Sequence, residues 1–535
     1  MRSQDNTVWQ FLKFRPNVGV TYKVCSESIR IFIATTMWFA VLSVVIVLIL
    51  KVLLDYGRSR KSPPGPRGLP IIGNFLDVAR LVRKEKLFSD IWNRLAEKYG
   101  PVCSIKLGMQ EPTIIVSGKD AITEMLNRPE FDGRPNGPTF KIRCGGTPQG
   151  LLFTDSGIWH SQRRFTIRTL RQLGFGKYSM DYILQQDVCT LINIIIEMTK
   201  DGSPINIYSF ICLAVFSHVW FLLEGTKFDI GSETPQLKEA ISIFKDILRN
   251  VNVCGGIVNH FPVLRYFFPR LTGLKLFEER QKRIDDFFLE VVSKHKTDKV
   301  SGESTNFVDS YLEEIEVQNK KSLFSSFNES QLQYVLKDLF VASVDTTDNM
   351  IGFVIAYLVV HRDVQLKIQD EIDKTIERSV CPSLSDKNRL PYLNAALTEV
   401  SRLANVAPNS LPHRALSDSN LLGFEIKRNY TLIANFKSVH LDKEHWGDPE
   451  VFRPERFINK EGEFVDDPWV MAFGIGRRKC LGETMARNTV FLFIACLLQK
   501  LHFTLPEKHP KPELHGIDGF LTSPPKMEII VTQRQ

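Results

Sequence analysis

The sequence predicts a mainly α-helical protein with small peripheral β-sheets, preceded by one N-terminal transmembrane helix. Three observations lead there. Long helical patterns of apolar residues fill the middle of the chain, strand-like runs are short and confined to Cys103–Val116, Leu421–Ala434 and Lys526–Thr532, and residues 31–50 form one uncharged apolar run. With 535 residues, 43% hydrophobic and 24% charged, the composition is that of a globular protein with a large core. No internal repeat and no long Gly/Ser linker divides the chain, so one large domain is expected after the anchor. The net charge of +8 suits an acidic redox partner or an anionic membrane surface. Its basic residues are scattered rather than clustered, and no nucleic-acid partner is expected. Nine cysteines without a Cys-x-x-Cys pair imply neither a zinc site nor a secreted disulfide framework, which places the domain in reducing cytosol.

Taken in order, residues 1–30 are an N-terminal extension and 31–54 the membrane anchor. Ile31 to Leu50 is long enough to cross a bilayer as one helix. A buried core helix or a cleaved signal peptide is the competing reading, but the run exceeds a usual signal core and lacks a small-residue cleavage site. Lys51, Arg58, Arg60 and Lys61 follow, opposed only by Asp55, which favours a cytosolic C-terminal side. Residues 55–70 form a basic and proline-rich hinge. Pro63-Pro64-Gly65-Pro66 cannot continue a helix, and a semi-rigid segment there aims the following domain, 71–535, against the membrane. The sequons Asn328-Glu-Ser330 and Asn429-Tyr-Thr431 would stay unused in a cytosolic domain.

Within that domain, Trp159-His-Ser-Gln-Arg163 puts an aromatic donor and a cation side by side on a helix. Between Leu332 and Val360 a mostly apolar helical pattern is interrupted by Ala342-Ser343-Val344-Asp345-Thr346-Thr347. A Thr346 hydroxyl bonded to the Ala342 carbonyl would loosen the helix and open a place for dioxygen or water, while Asp345 helps to supply protons. An ordinary polar kink is the alternative. Glu399-Val-Ser-Arg402 places a carboxylate and a guanidinium on one helix face. Finally, Phe473-Gly-Ile-Gly476-Arg477-Arg478-Lys479-Cys480-Leu-Gly482 frames a lone cysteine with glycines and arginines rather than with other metal ligands. That framing suits a thiolate on a heme iron, because a tight loop brings main-chain amides to the sulfur, with Arg478 placed to neutralise a propionate. An ordinary buried thiol is the competing reading.

The spacing Phe-x-x-Gly-x-Arg-x-Cys-x-Gly resembles the signature of the cytochrome P-450 superfamily. Further matching elements follow in the expected order between Pro63 and Pro525, including Phe131-Asp-Gly-Arg134-Pro135, Glu399-x-x-Arg402 and Phe452-Arg-Pro-Glu-Arg456-Phe457. The run from Gly150 through Trp159 to Gly174-Phe-Gly176-Lys177 is similar to the second clan of animal microsomal enzymes, especially insect members. The first thirty residues are unusual for such enzymes; Met37 gives a more typical start, so the extension is either genuine or a start-site artefact.

The resemblance implies the P-450 fold and heme b, with Cys480 as the axial thiolate on iron. It implies cofactor contacts from Trp159, Arg163, His413, Phe473 and Arg478, catalytic roles for Asp345 and Thr346, and a structural triad of Glu399, Arg402 and Arg456. The implied enzyme is a monooxygenase that takes O2 as co-substrate and inserts one oxygen atom into a lipophilic small molecule, by hydroxylation or epoxidation. After the hinge the chain has no Walker pattern and no dinucleotide-binding glycine fingerprint, so electrons must come from a partner. The implied partner is NADPH-cytochrome P-450 reductase in the same endoplasmic reticulum membrane, with this chain single-pass and facing the cytosol. Arg477 and Lys479 are candidates for docking its acidic surface. An isomerase or dehydratase of the same fold, and a heme-binding sensor or structural protein without turnover, are the rivals. The implied pocket draws on residues near Gly133–Phe153, Leu339–Ser343, Ala407–Pro412 and Gly519–Thr522, mostly apolar. Two departures stand out: Ser343 where glycine is commoner, and Ile426-Lys427-Arg428-Asn429 where a Pro-Lys-Gly turn is usual.

Overall fold

The computed structural model describes residues 61–173, 178–228, 256–298, 306–321, 325–507 and 509–534, with isolated positions before residue 47 and at 238, 241 and 242. The expected extension, most of the anchor, the start of the hinge and Gly174–Lys177 lie outside the described residues. Of the anchor, Thr36, Trp38, Phe39, Leu42, Ser43 and Ile46 are described, and all six are helical and exposed. The chain divides into two units, 1–60 and 61–535. In the second, the proline segment is laid against the first strand: Ser104 donates to the Pro64 carbonyl from its amide (2.7 Å) and to the Pro63 carbonyl from its hydroxyl (3.0 Å).

The longer helices of that unit are α1 (Phe75–Val82), α2 (Phe88–Tyr99), α3 (Lys119–Asn127), α4 (Pro138–Arg143), α5 (Ser156–Gln172), α6 (Tyr178–Met198) and α7 (Tyr208–Glu224). They continue with α8 (Leu274–Thr297), α9 (Phe307–Lys321), α10 (Glu329–Val360), α11 (Arg362–Thr375), α12 (Pro391–Ala404) and α13 (Glu483–Lys500). The strands are β1 (Val102–Ile105), β2 (Thr113–Ser117), β3 (His413–Arg414), β4 (Ser419–Leu421), β5 (Phe424–Ile426), β6 (Thr431–Asn435), β7 (Leu501–Thr504) and β8 (Ile530–Gln533).

The core is built around α10, which is apolar on most of its circumference and so has to be buried on all sides. It packs against α7, α8 and α13, and its first turn is closed by the Asn328 side chain accepting from the Gln331 amide at 2.8 Å. Among the described residues it is the one helix long and apolar enough to cross a membrane, but two thirds of its apolar window is buried in this core.

The four-stranded sheet has the order β1-β2-β6-β3. β2 and β6 run parallel, Ile114 opposite Leu432, whereas β1 and β3 are antiparallel to their neighbours. A parallel pair needs a crossover, and here the crossover from β2 to β6 contains most of the helices. The unusual turn before β6 forms because Asn429 takes the left-handed conformation, φ 71°, which asparagine tolerates nearly as well as glycine. The helical expectation for Leu332–Val360 is met by α10, which runs unbroken through Ala342–Thr347 rather than breaking there. Cys103, Cys144, Cys189, Cys381, Cys480 and Cys496 form no disulfide.

Candidate active site

The cysteine loop enters α13 directly. Cys480 donates its amide to the Phe473 carbonyl at 3.0 Å, which closes the loop on itself. Gly476 adopts φ +71°, and a Cβ there would meet the Leu126 carbonyl oxygen at 2.0 Å, so no other residue fits without displacing backbone. The Cys480 side chain is exposed, yet its surface opens into a cavity of about 610 Å³ rather than onto the outer face. Enclosure pushes its thiol pKa up, opposed by the Gly482 amide directed at the sulfur.

One edge of the same cavity is a cluster of cations around Trp159. Trp159 is buried on α5, the Arg478 guanidinium lies 3.8 Å from its ring centroid and the Arg163 guanidinium 5.7 Å from it. Arg478 donates to the carbonyls of Asp132 (2.7 Å) and Thr154 (2.8 Å), and Arg163 to that of Lys479 (2.6 Å). Arg134 donates to Leu411 (3.3 Å) and Pro412 (3.0 Å). His413 shares a 2.7 Å bond between Nδ1 and the Phe131 carbonyl; a carbonyl only accepts, so Nδ1 carries the proton and Nε2 is the acceptor of the neutral ring.

These cations have no ion pair of their own among the described residues, although Asp132 and Asp155 stand near enough to favour their charge. Among the described ion pairs none involves Arg134, Arg163 or Arg478, since Asp132 is taken by Arg477 at 2.9 Å and Asp155 by Arg414 at 2.7 Å. Burial, with repulsion from Arg134, lowers the Arg478 pKa to about 8. Burial lowers that of Arg134 to about 10 and holds His413 well below its ordinary value. Arg478 Nη1 and Arg134 Nε are buried without any hydrogen-bond partner. Such an arrangement is completed by a ligand that brings negative charge, and the two propionates of heme fit it. Among the described residues no group of three or more His, Cys, Asp or Glu could chelate a metal by itself, so iron at Cys480 would need the donors of a macrocycle.

On α10 the Thr346 hydroxyl donates to the Ala342 carbonyl at 2.6 Å, the back-bond expected from the sequence. Ala342, Ser343, Thr346 and Thr347 line the cavity. Asp345 does not; its Oδ2 is 3.5 Å from the Asn349 amide nitrogen, and adjacent helix positions point about 100° apart. The implied pocket segments do contribute, through Phe140, Leu152, Phe153, Leu339, Leu411 and Phe520.

Glu399, Arg402 and Arg456 come together as expected. Glu399 receives Arg402 Nε at 2.7 Å, Arg402 Nη2 at 2.8 Å and Arg456 Nε at 3.1 Å, and Arg402 Nη1 holds the carbonyls of His440 (2.6 Å) and Pro449 (2.8 Å). His440 Nε2 in turn accepts the Met471 amide at 2.9 Å, tying the triad to the approach to the cysteine loop. The two docking candidates are already paired internally, Arg477 with Asp132 and Lys479 with Glu483 at 2.6 Å, so neither is a bare surface cation. Arg134 is the member of the cation cluster to which sequence reasoning gave no cofactor role. Its signal was an arginine inside the matched run Phe131–Pro135.

A lone cysteine at the mouth of a helix, facing a cavity edged by unpaired guanidiniums inside a mainly helical fold, defines a heme-thiolate class of protein. Comparison agrees: the Cytochrome P-450 family matches residues 63–531. Farnesoate epoxidase of Bombyx mori is 34% identical over 474 residues, covering 88% of this chain and 94% of its own length. Probable cytochrome P-450 305a1 of Drosophila melanogaster is 29% identical over 486 residues (89% and 95%), and cytochrome P-450 2D3 of Rattus norvegicus 32% over 510 (94% and 99%). The chain belongs to the cytochrome P-450 family and is a monooxygenase, an oxidoreductase that works with heme and O2.

Proposed function

We propose that this monooxygenase inserts one oxygen atom into a lipophilic small molecule, using NADPH electrons delivered by a flavoprotein reductase in the same membrane. The observation that carries the reading is the single cavity shared by Cys480, the Trp159 cation cluster and the Thr346 turn, with an otherwise largely apolar lining. When bound, heme supplies the reductive splitting of O2 and the transfer of one of its atoms. Cys480 would give the iron its thiolate, with the Gly482 amide easing the sulfur's charge. Arg134, Arg163 and Arg478 would hold the propionates, and Trp159 keeps two of these guanidiniums stacked in place. Phe473 fixes the loop through its carbonyl.

The Thr346 hydroxyl, held by Ala342, keeps a proton at Oγ1 on the cavity wall. Asp345, off the lining, acts on the cavity only through water, and the Ser343 hydroxyl adds a second polar group to the groove. Apolar side chains orient the substrate and keep bulk water out. Epoxidation of farnesoate is the first reaction to test, because a relative of that name matches nearly the whole chain.

The reading places the protein in the endoplasmic reticulum membrane through the 31–54 segment. A second contact is offered by Val263, Tyr266, Phe267, Phe268 and Leu271, exposed apolar residues interleaved with Arg265 and Arg270. The test is reconstitution with NADPH-cytochrome P-450 reductase under labelled oxygen gas. The expected product carries one labelled atom and requires NADPH. Product formed only by rearrangement of a substrate peroxide, without NADPH and without a labelled atom, contradicts the reading and favours an isomerase or dehydratase.

A further inference from the structure

Outside the Trp159 cluster, the cysteine loop and the groups held against α13, the charged residues on the cavity lining are Arg143 and Asp338. They pair at 2.7 Å, Arg143 Nη1 to Asp338 Oδ1. Asp338, its side chain 2% exposed, is fully used within the protein: its Oδ2 also accepts the amides of Leu151 (2.7 Å) and Leu152 (2.9 Å). Arg143 is not. Its remaining guanidinium hydrogens have no partner among the described residues, and it lies over the Phe153 ring at 4.9 Å. Burial works against its charge, but Asp338, with smaller help from Cys144 and Asp285, more than offsets this and holds its pKa above the ordinary value. The result is a fixed donor, neutral as a pair, in a wall formed by Phe140, Leu152, Phe153 and Leu339.

We infer that Arg143 determines specificity by donating hydrogen bonds to a neutral acceptor oxygen, an ester, ketone or alcohol, at the end of an elongated apolar substrate remote from the oxidised carbon. This rests on the monooxygenase reading. A carboxylate is disfavoured because it would share one guanidinium with Asp338 and leave a net negative charge in an apolar space. The next cation along the helix, Lys337, is committed to Asp285 at 2.8 Å and to the Arg143 carbonyl at 2.6 Å. The helix also sets a length. Asp338 and Thr346 are eight residues apart on unbroken α10, so anchor and oxygen groove are separated by roughly 12 Å along its axis. An apolar chain with no acceptor would leave the free donors of Arg143 unpaired, which is the source of the discrimination.

The purely structural alternative is that the pair only clips residues 138–153 to α10. The experiment separates the two by a ratio. Methyl oleate, oleic acid and the matching octadecene are titrated calorimetrically into the full-length, heme-loaded protein in lipid nanodiscs, and oxidation products are mapped by mass spectrometry after adding reductase and NADPH. The wild type should bind methyl oleate about tenfold more tightly than octadecene, the difference expected of one well-placed hydrogen bond to a charged donor. Arg143→Met should erase that ratio and scatter the oxidised positions, and Arg143→Lys should restore part of it. The inference is overturned if Arg143→Met weakens ester and hydrocarbon equally, if the ratio is unchanged, or if oleic acid binds more tightly than its ester. Absence of NADPH-dependent product from every probe, with the binding ratio intact, would instead reject the monooxygenase reading and leave the anchor standing.

Discussion

Replacing Glu399 by glutamine keeps the side chain's shape and removes its charge, which isolates what the buried triad contributes. Glu399 and Arg402 are fully buried and the Arg456 side chain is 6% exposed, so water cannot replace what is lost. In the native site Oε1 accepts from Arg402 Nη2, Arg456 Nε and the Arg453 amide, and Oε2 from Arg402 Nε. A glutamine oxygen can serve the three donors at the Oε1 position, but its NH2 then faces Arg402 Nε, donor against donor. Two buried guanidiniums remain, with only the half-exposed Asp448 beside Arg456 to oppose them. Breaking a buried pair in this way costs about 3–5 kcal/mol. The assay is urea unfolding of the heme-loaded protein, comparing midpoints at unchanged slope. Lys367→Met serves as the control, since the Lys367–Glu455 pair is 54% and 47% exposed and should be worth less than about 1 kcal/mol. A Glu399→Gln loss no larger than that of Lys367→Met would refute the reasoning.

Three further outcomes are expected. Gly476→Ala should express with little bound heme, because its Cβ would lie 2.0 Å from the Leu126 carbonyl; normal heme content would show that the loop relaxes freely. Thr346→Ala should keep its heme and consume NADPH with reductase but divert electrons to peroxide, lowering the ratio of product to NADPH; an unchanged ratio would make Thr346 a packing residue. His440 is buried with its pKa lowered to about 3 by burial and by Arg402, so the folded state resists protonation that the unfolded chain accepts below about 6.5. Its contribution to stability is therefore present above pH 6.5 and declines as the pH falls toward 3, amounting to about 2 kcal/mol by pH 5. His440→Asn should flatten that part of the unfolding profile, and an identical slope would contradict the assignment.

The parts legible in the sequence were those whose chemistry is local. The Cys480 loop, the Thr346 back-bond and the Glu399–Arg402 pair each lie within a few residues, so spacing alone placed them. Arg134 was not legible, because its surroundings come from segments far apart in sequence: Leu411, Pro412 and Arg478 reach it only once the fold is formed. Arg143 and Asp338 were hidden for the same reason, being 195 residues apart. Asp345 was named from its place beside Thr346 in the motif, and what the fold adds is that its side chain is not on the cavity lining, since adjacent helix positions point about 100° apart. Two strands were also missed. β3 spans two residues, and β7 follows α13 with no turn residue to mark the change of period.

The central claim is that Cys480 is the thiolate ligand of heme, and one spectrum tests it most directly. Purified wild-type protein, reduced and exposed to carbon monoxide, should show the red-shifted Soret band that only a thiolate ligand produces. Cys480→Ser should lose that band altogether, while the buried Cys496→Ser, a thiol remote from the cavity lining, should keep it. A Cys480→Ser protein that retains the band at full intensity would contradict the account.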